Sequence, residues 1–271
     1  MASPFIRFRG RGAQFCHQGD NKHTSKRDNL RRWGKGAVDE TCSLCGSLAT
    51  LRHILNSCKV ALHQGRFTYR RDSVLAVLKK NLLKFYSKIK TEKRPTANSP
   101  IINFVRAGEA KKPKTQRRPL LYGDALRCAT DWEFQFDLDT NVIFPPEAAV
   151  TKLRPDIVIY SRSLRTIIIL ELTVPHEDNI GKAHERKLNR YASLLAKCEQ
   201  NGYKTMYFPV EVGSRGFVSL KTNKCLEILG MSTAEAKRTR LELSRTAQRA
   251  SYIIFRRKDI EAWPKQMGLL C

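Results

Sequence analysis

The 271-residue chain carries 50 Lys and Arg residues against 25 Asp and Glu residues, and this net charge of +25 favours a polyanionic partner. A hydrophobic content of 41% argues against a wholly disordered chain. No apolar run reaches the roughly 18 residues of a membrane-spanning helix, and the N-terminal residues lack the apolar segment of a secretory signal. We therefore expect a nuclear or cytoplasmic protein that is not secreted and has no membrane partner. Its expected partner is DNA, with RNA as the alternative.

The first part of the chain contains a basic segment and then a cluster of metal-ligand residues. Residues 1–36 are basic and weakly periodic, which predicts a flexible arm that contacts phosphate or, alternatively, the remnant of a longer upstream region. Residues 37–62 contain three cysteines and a histidine at C-x2-C-x7-H-x4-C spacing: Cys42, Cys45, His53 and Cys58. This spacing predicts a zinc knuckle with a structural Zn²⁺, because all four positions are filled by protein. The alternatives are unrelated thiols in a reducing compartment, or His63 in place of His53.

A helix and a linker are expected after the knuckle. Residues 63–87 predict an amphipathic helix with Asp72 or Ser73 as its N-cap. Cations alternate with aromatic rings over residues 66–71, a pattern that suits phosphate and base contacts but equally fits a solvated start of the helix. Residues 88–119 are rich in Lys, Arg, Pro, Ser and Thr and predict a basic linker, with a nuclear-import signal or phosphate-binding strap as alternatives.

Residues 120–230 predict a small α/β domain, followed by a basic C-terminal helix and tail at residues 231–271. The segments of this domain alternate between helical and strand patterns, which predicts a small mixed sheet with flanking helices. The predicted helices cover residues 120–129, 177–200, 220–229 and 234–257. The predicted strands cover residues 132–138, 157–160, 166–174 and 205–212. A turn at residues 213–216 places Arg215 either against DNA or at the sheet edge.

Two acids occupy positions where a carboxylate is costly. Asp156 opens the first strand of the predicted hairpin, and Glu171 lies between Leu170 and Leu172 in the second, where an unpaired carboxylate resists burial. Paired strands bring both acids to one end of the sheet, and two carboxylate oxygens suit a hard cation such as Mg²⁺. The structural alternative makes Asp156 a turn residue and Glu171 the partner of an arginine.

The helix after the hairpin carries a lysine on its apolar face. At about 100° per residue, Lys187 falls near the middle of a stripe of the following residues: Ile180, Ala183, His184, Tyr191, Leu194, Leu195 and Cys198. A lysine in that position must extend to solvent or meet acids. Asp156, Glu171 and Lys187 therefore form the set that a metal-dependent nuclease needs. The acids hold Mg²⁺, and the lysine orients water or stabilises the phosphate.

These residues carry a family resemblance. Pro155-Asp156, fourteen intervening residues and Glu171-Leu-Thr173 resemble the PD-(D/E)xK nuclease signature, in a variant whose lysine has moved to the next helix. The zinc knuckle combines with five ordered segments, the first of which overlaps it: LRHILNSCKVALHQGRF, LRPDIVIY, ELTVPHEDN, ERKLNRY and FPVEVGSRGF. Together they resemble the C-terminal region of non-LTR retrotransposon polyproteins that carry a restriction-like endonuclease, over about residues 29–257. The resemblance implies a restriction-endonuclease-like fold, catalytic Mg²⁺ on Asp156 and Glu171, Lys187 as the displaced catalytic lysine, and Glu147 as a further acid.

The chain also departs from the family pattern. Thr173 stands at the position where the family signature has its lysine, so catalysis depends on Lys187 taking the place of that lysine in space. Arg71 stands where relatives tend to have histidine. The polymerase-palm motifs Tyr-x-Asp-Asp and Phe-x-Asp-Asp do not occur in the sequence, so we expect no reverse transcriptase activity. The resulting expectation is a Mg²⁺-dependent DNA endonuclease module that leaves a 3′ hydroxyl. The alternative is an inactive, zinc-containing nucleic-acid-binding remnant.

Overall fold

A mixed sheet lies at the centre of the protein. The computed structural model describes residues 41–92, 124–138 and 142–264, so the predicted arm at residues 1–36 and nearly all of the predicted linker at residues 88–119 lie outside the described residues. The strands are β1 (Glu133–Phe136), β2 (Ile157–Ser161), β3 (Thr166–Thr173) and β4 (Lys204–Glu211), and they lie side by side in that order. Strands β1 to β3 are antiparallel, and β4 runs parallel to β3. The predicted α/β class and small mixed sheet are confirmed.

The central hairpin is covered on both faces, which explains its near-continuous apolar sequence. Ile159 and Ile168 belong to the larger core cluster, whereas Val158, Ile167 and Ile169 belong to a second cluster on the opposite face. All five side chains are fully buried. The predicted hairpin is therefore confirmed.

The helices divide between the two faces of the sheet. Their ranges are α1 (Lys59–His63), α2 (Arg66–Thr91), α3 (Ile180–Gln200), α4 (Leu220–Ile228) and α5 (Thr233–Arg256). Helix α3 is the crossover that two parallel strands such as β3 and β4 require, and its apolar stripe packs in the second core cluster. Helices α2, α4 and α5 contribute to the larger cluster. Within the described ranges, every helix is too short or too polar to cross a membrane.

Helix α2 begins earlier than its sequence pattern predicts. The predicted N-cap at Asp72 or Ser73 is wrong, because the helix begins at Arg66 after Gly65, whose φ is +76°. The first two turns are helical because their long side chains are buried: Arg66 and Arg70 are 0% and 2% exposed. Tertiary packing thus extends the helix beyond its amphipathic stretch.

The predicted helix at residues 120–129 is wrong within the part that the structure describes. Residues 124–129 contain one 3₁₀ turn, Ala125–Arg127. The backbone N–H of Leu126 donates to the carbonyl of Leu229, 3.4 Å away in the connection between α4 and α5. Because that N–H serves a tertiary contact, it does not extend a local helix.

A capping box should make a measurable contribution to the stability of α5. The Ser232 side chain accepts a hydrogen bond from the Glu235 N–H, and the Glu235 carboxylate accepts one from the Ser232 N–H. The Glu235 carboxylate also binds Lys88 of α2 at 2.7 Å. We expect Ser232→Ala to lower the free energy of unfolding by about 1 kcal/mol, measured by urea denaturation. The matched variant Thr233→Ala, which alters an exposed first-turn residue, should have little effect. Equal losses in both variants would contradict a specific role for the cap.

Candidate functional site

The first two cysteines lie on a tight hairpin. The Cys42 N–H donates to the Ser47 carbonyl at 2.6 Å, and the Gly46 N–H donates to the Cys42 carbonyl at 2.7 Å. Gly46 has a φ of +71°, a conformation that favours glycine. This turn directs the side chains of Cys42 and Cys45 towards the π-helical turn His53–Ser57.

The four predicted zinc ligands converge. The ligand atoms of Cys42, Cys45, His53 and Cys58 all lie within 4.8 Å of one another. The Cys42 and Cys58 sulfurs are 4.0 Å apart, close to the roughly 3.8 Å edge of a tetrahedron with Zn–S bonds of about 2.3 Å. This arrangement could hold a zinc ion, and its histidine is His53.

The thiols of the cluster differ in acidity. Burial raises the pKa of Cys45, but hydrogen bonds, with the Ser47 backbone and side chain first, outweigh burial and bring the pKa to about 6. Burial raises the pKa of Cys58 to about 11, and the neighbouring thiols add to this rise. Because a metal binds the thiolate, loading the cluster must remove a proton from Cys58 at neutral pH.

Mutation of the cluster should remove bound zinc. We expect Cys58→Ser to reduce the zinc content of purified protein from one ion per chain to a small fraction, and to lower the melting temperature, because metal binding contributes to folding. Cys128→Ser is the matched control, since Cys128 is an exposed thiol outside the cluster. Atomic absorption on both variants measures the difference. Unchanged zinc content in Cys58→Ser would refute the assignment.

Asp156 and Glu171 meet at one end of the sheet. The pairing of Ile157 with Leu170 places the two acids opposite each other. The Asp156 N–H donates to Glu171 Oε2 at 3.2 Å, and the Leu172 N–H donates to Asp156 Oδ2 at 2.7 Å. The acids are 3% and 2% exposed. Each carboxylate therefore uses one oxygen for a backbone N–H and has its second oxygen available for a cation.

The second oxygens contact two basic side chains. Lys187 Nζ, which extends from α3, binds Glu171 Oε1. Arg71 Nη2, which extends from α2, binds Asp156 Oδ1 and lies 3.2 Å from Asp137 Oδ2. Burial raises the pKa of Glu171, and the Lys187 and Arg71 charges offset only part of that rise. The structure thus brings Asp156, Glu171 and Lys187 together, and it adds Arg71 to the site.

Two arginines of the basic cluster at residues 66–71 fit neither interpretation of its sequence. Arg66 and Arg70 are buried and bind protein groups rather than solvent. Arg66 donates to the Arg257 carbonyl at 2.6 Å, where it helps to fix the chain that leaves α5. Arg70 donates to the Leu55 carbonyl at 2.9 Å and to the Val174 carbonyl at 3.0 Å. Arg70 therefore connects the Cys₃His segment to the end of β3, three residues beyond Glu171.

One further acid lies on the same face of the sheet and has no assigned role in the sequence pattern. Glu211 pairs with Thr173 in the β3–β4 register and so lies on the face that carries Glu171. It is 3% exposed, and its Oε1 lies 2.9 Å from His184 Nδ1 without hydrogen-bond alignment. The signal was available in sequence, because Glu211 interrupts an apolar strand as Glu171 does.

Other candidate residues lie farther from the acid pair or have structural contacts. Glu147 binds Arg162 at 2.9 Å, next to the far end of β2 from Asp156. Arg215 binds Glu177 at 3.1 Å, a contact within the protein. Thr173 Oγ1 is buried and lacks a hydrogen-bond partner among the described residues.

Comparison with known proteins adds no relative: no protein-family model matches the chain, and no curated protein matches it. The fold and the site therefore define it as an α/β protein with a four-stranded mixed sheet, a Cys₃His cluster that could hold zinc, and a buried acid pair with basic partners.

Removing the Arg71 guanidinium should make Asp156 more available to a cation. We expect Arg71→Ala to melt at a lower temperature than the unmodified protein without Mg²⁺, because it leaves a buried carboxylate unpaired. Added Mg²⁺ should then raise its melting temperature more than that of the unmodified protein, because binding to the folded state stabilises it.

The control for this experiment is Arg154→Ala. Arg154 binds Asp137 at 2.7 Å, whereas Arg71 also binds Asp156. Differential scanning fluorimetry over a Mg²⁺ titration measures both variants. Identical Mg²⁺-dependent shifts in Arg71→Ala and the unmodified protein would show that Arg71 does not compete for this carboxylate.

Proposed function

We propose that the protein is a Mg²⁺-dependent DNA endonuclease module of the restriction-like kind carried by non-LTR retrotransposons. The observation that supports this most strongly is the convergence of Asp156, Glu171 and Lys187 at one end of the sheet, with Lys187 provided by the helix after β3. In this proposal Lys187 takes in space the place that Thr173 occupies in the sequence signature. The net charge of +25 supports a nucleic-acid substrate.

The donor atoms suit a divalent cation. Asp156 Oδ1 and Glu171 Oε1 are carboxylate oxygens whose partner oxygens are fixed by backbone N–H groups, so their orientation is set before any ligand arrives. Two such oxygens are the ligands that Mg²⁺ takes from proteins, with water and phosphate oxygens completing its shell. When bound, Mg²⁺ would lower the pKa of a water and neutralise charge on the phosphate.

The basic side chains then have roles of their own. A cation bound to the two acids would take over part of the neutralisation that Lys187 and Arg71 now provide. The N–H donors of these two side chains would then be free to bind substrate. Lys187 orients the attacking water or hydrogen-bonds a non-bridging phosphate oxygen. Water attacks phosphorus and gives up a proton to solvent, the P–O3′ bond breaks with its electron pair on O3′, and a proton from solvent completes the 3′ hydroxyl. The other product is a 5′ phosphate.

The Cys₃His cluster supports this site from a distance in the proposal. Zinc there would be structural, because four protein ligands fill a tetrahedral shell and leave no position for substrate or water. Arg70 links this segment to the end of β3, because its guanidinium donates hydrogen bonds to the carbonyls of both Leu55 and Val174.

One observation favours a second function, a zinc-containing nucleic-acid-binding protein without cleavage. Arg71 binds the Asp156 oxygen that the cation would need, and a guanidinium is charged at every physiological pH. If Mg²⁺ does not displace Arg71, the protein would bind nucleic acid with a strong salt dependence and would not cut it.

Nicking of supercoiled plasmid distinguishes the two functions. With Mg²⁺, we expect the unmodified protein to nick the plasmid, and Asp156→Ala, Glu171→Ala and Lys187→Ala to lose about 100-fold or more in rate, as expected for loss of a metal ligand or a charge-stabilising donor. Glu147→Gln is the matched acid control and should nick normally.

Two outcomes would contradict the nuclease. Nicking that persists in all three site variants would place the chemistry elsewhere. DNA binding without nicking by the unmodified protein, at every Mg²⁺ concentration tried, would favour the binding function instead.

A further inference from the structure

A groove opens beside the acid pair. It has a volume of about 480 Å³, and its floor is the end of β3 and the following residues, 172–176. One wall is the start of α3, and the other is formed by Asn56 and the start of α2. Arg71 and Lys187, which bind the two acids, both line it. The groove therefore lies next to the acid pair, and Arg71 and Lys187 separate it from the candidate cation-binding oxygens.

The α3 wall presents two cations without protein partners. Lys182 and Arg186 are exposed, line the groove, and make no ion pair or hydrogen bond with their side chains among the described residues. They lie four residues apart, about 6 Å along the same helix face. Arg71, Lys187 and Arg215, in contrast, are each paired with a carboxylate. Two unpaired cations in succession suit consecutive phosphates of a strand that runs along this wall.

The opposite wall adds an aromatic ring. Phe67 lines the groove, and the Arg70 guanidinium lies 5.6 Å from its centroid. The buried Thr173 Oγ1 on the floor has no hydrogen-bond partner among the residues described. Aromatic faces and cations together are the features that bind single-stranded nucleic acid, because every base has a face that stacks. The groove has the volume of a small-molecule pocket, which is enough for a short segment of a single strand.

We propose that this groove binds one single strand of DNA and leads its phosphate to the acid pair. Lys182 and Arg186 contact successive phosphates, and Phe67 stacks on a base. The proposal deepens the nuclease assignment and rests on it for the role of the acid pair. It implies that the substrate strand is locally unpaired where it enters the site.

Binding measured without added Mg²⁺ tests the groove separately from catalysis. Fluorescence anisotropy compares a labelled single strand with a blunt duplex of the same sequence, over a range of salt concentrations. The double variant Lys182→Ala, Arg186→Ala should bind the single strand more weakly, and its plot of log affinity against log salt should be less steep by about 1.4, since each phosphate contact on a single strand contributes about 0.7. Duplex binding should keep its slope.

Two controls make the result specific. The double variant Lys80→Ala, Lys197→Ala removes the same charge from exposed helix positions outside the groove. It should leave the salt-dependence slope of single-strand binding unchanged. Phe67→Leu keeps an apolar side chain but removes the ring, so it should weaken single-strand binding about fivefold or more without changing the slope. Its zinc content should match that of the unmodified protein.

The outcomes separate this proposal from the nuclease itself. If the double variant Lys182→Ala, Arg186→Ala keeps the salt-dependence slope of the unmodified protein for the single strand, the proposed binding of DNA in the groove is wrong, even if plasmid nicking depends on Asp156. Equal slope changes for single strand and duplex overturn the single-strand assignment. A change of slope that occurs for the single strand and not for the duplex supports single-strand binding in the groove, even if the unmodified protein does not nick plasmid.

Discussion

The buried guanidinium of Arg70 is the contact on which the arrangement depends. It is 2% exposed and donates to groups from three separate segments: Leu55 and Asn56 beside the Cys₃His cluster, Val174 after β3, and Ser251 in α5. Burial lowers its pKa to about 10, so it remains charged at neutral pH. Its Nη1 and Nη2 groups make these four hydrogen bonds, whereas its Nε has no hydrogen-bond partner among the described residues. Because a buried charge needs hydrogen-bonded partners, the four contacts hold the three segments in one relative position.

The same electrostatic rule shapes the candidate site. Asp156 and Glu171 are almost fully buried, and each is compensated by one backbone N–H and one basic side chain. The backbone N–H groups fix the carboxylates, whereas Arg71 and Lys187, which bind the remaining oxygens, are 26% and 21% exposed. In the proposed nuclease, the fixed carboxylates would be the preorganised part of the site, and the two more exposed basic side chains would be the part that rearranges.

The features that depend on local pattern were predictable, and those that depend on distant partners were not. Periodicity located the hairpin and put Lys187 on the inner face of α3, and ligand spacing identified the Cys₃His group. The buried roles of Arg66 and Arg70 depend on carbonyls as far as 195 residues away in sequence, so no local pattern reveals them. Glu211 is different, because an acid between Val210 and Val212 in an apolar strand is a local sequence signal of a buried carboxylate.

Arg70 and Arg71 are adjacent in sequence but point to different parts of the molecule, one into the packing around the Cys₃His segment and the other onto Asp156. This division depends on the rotational phase of α2, in which each residue advances by about 100°. The part of α2 from Val74 onward is anchored in the core, so inserting or deleting a single residue between Arg71 and Val74 would rotate both guanidiniums away from their carbonyl and carboxylate partners at once. The framework and the site would then lose their order together, although both arginines would be retained.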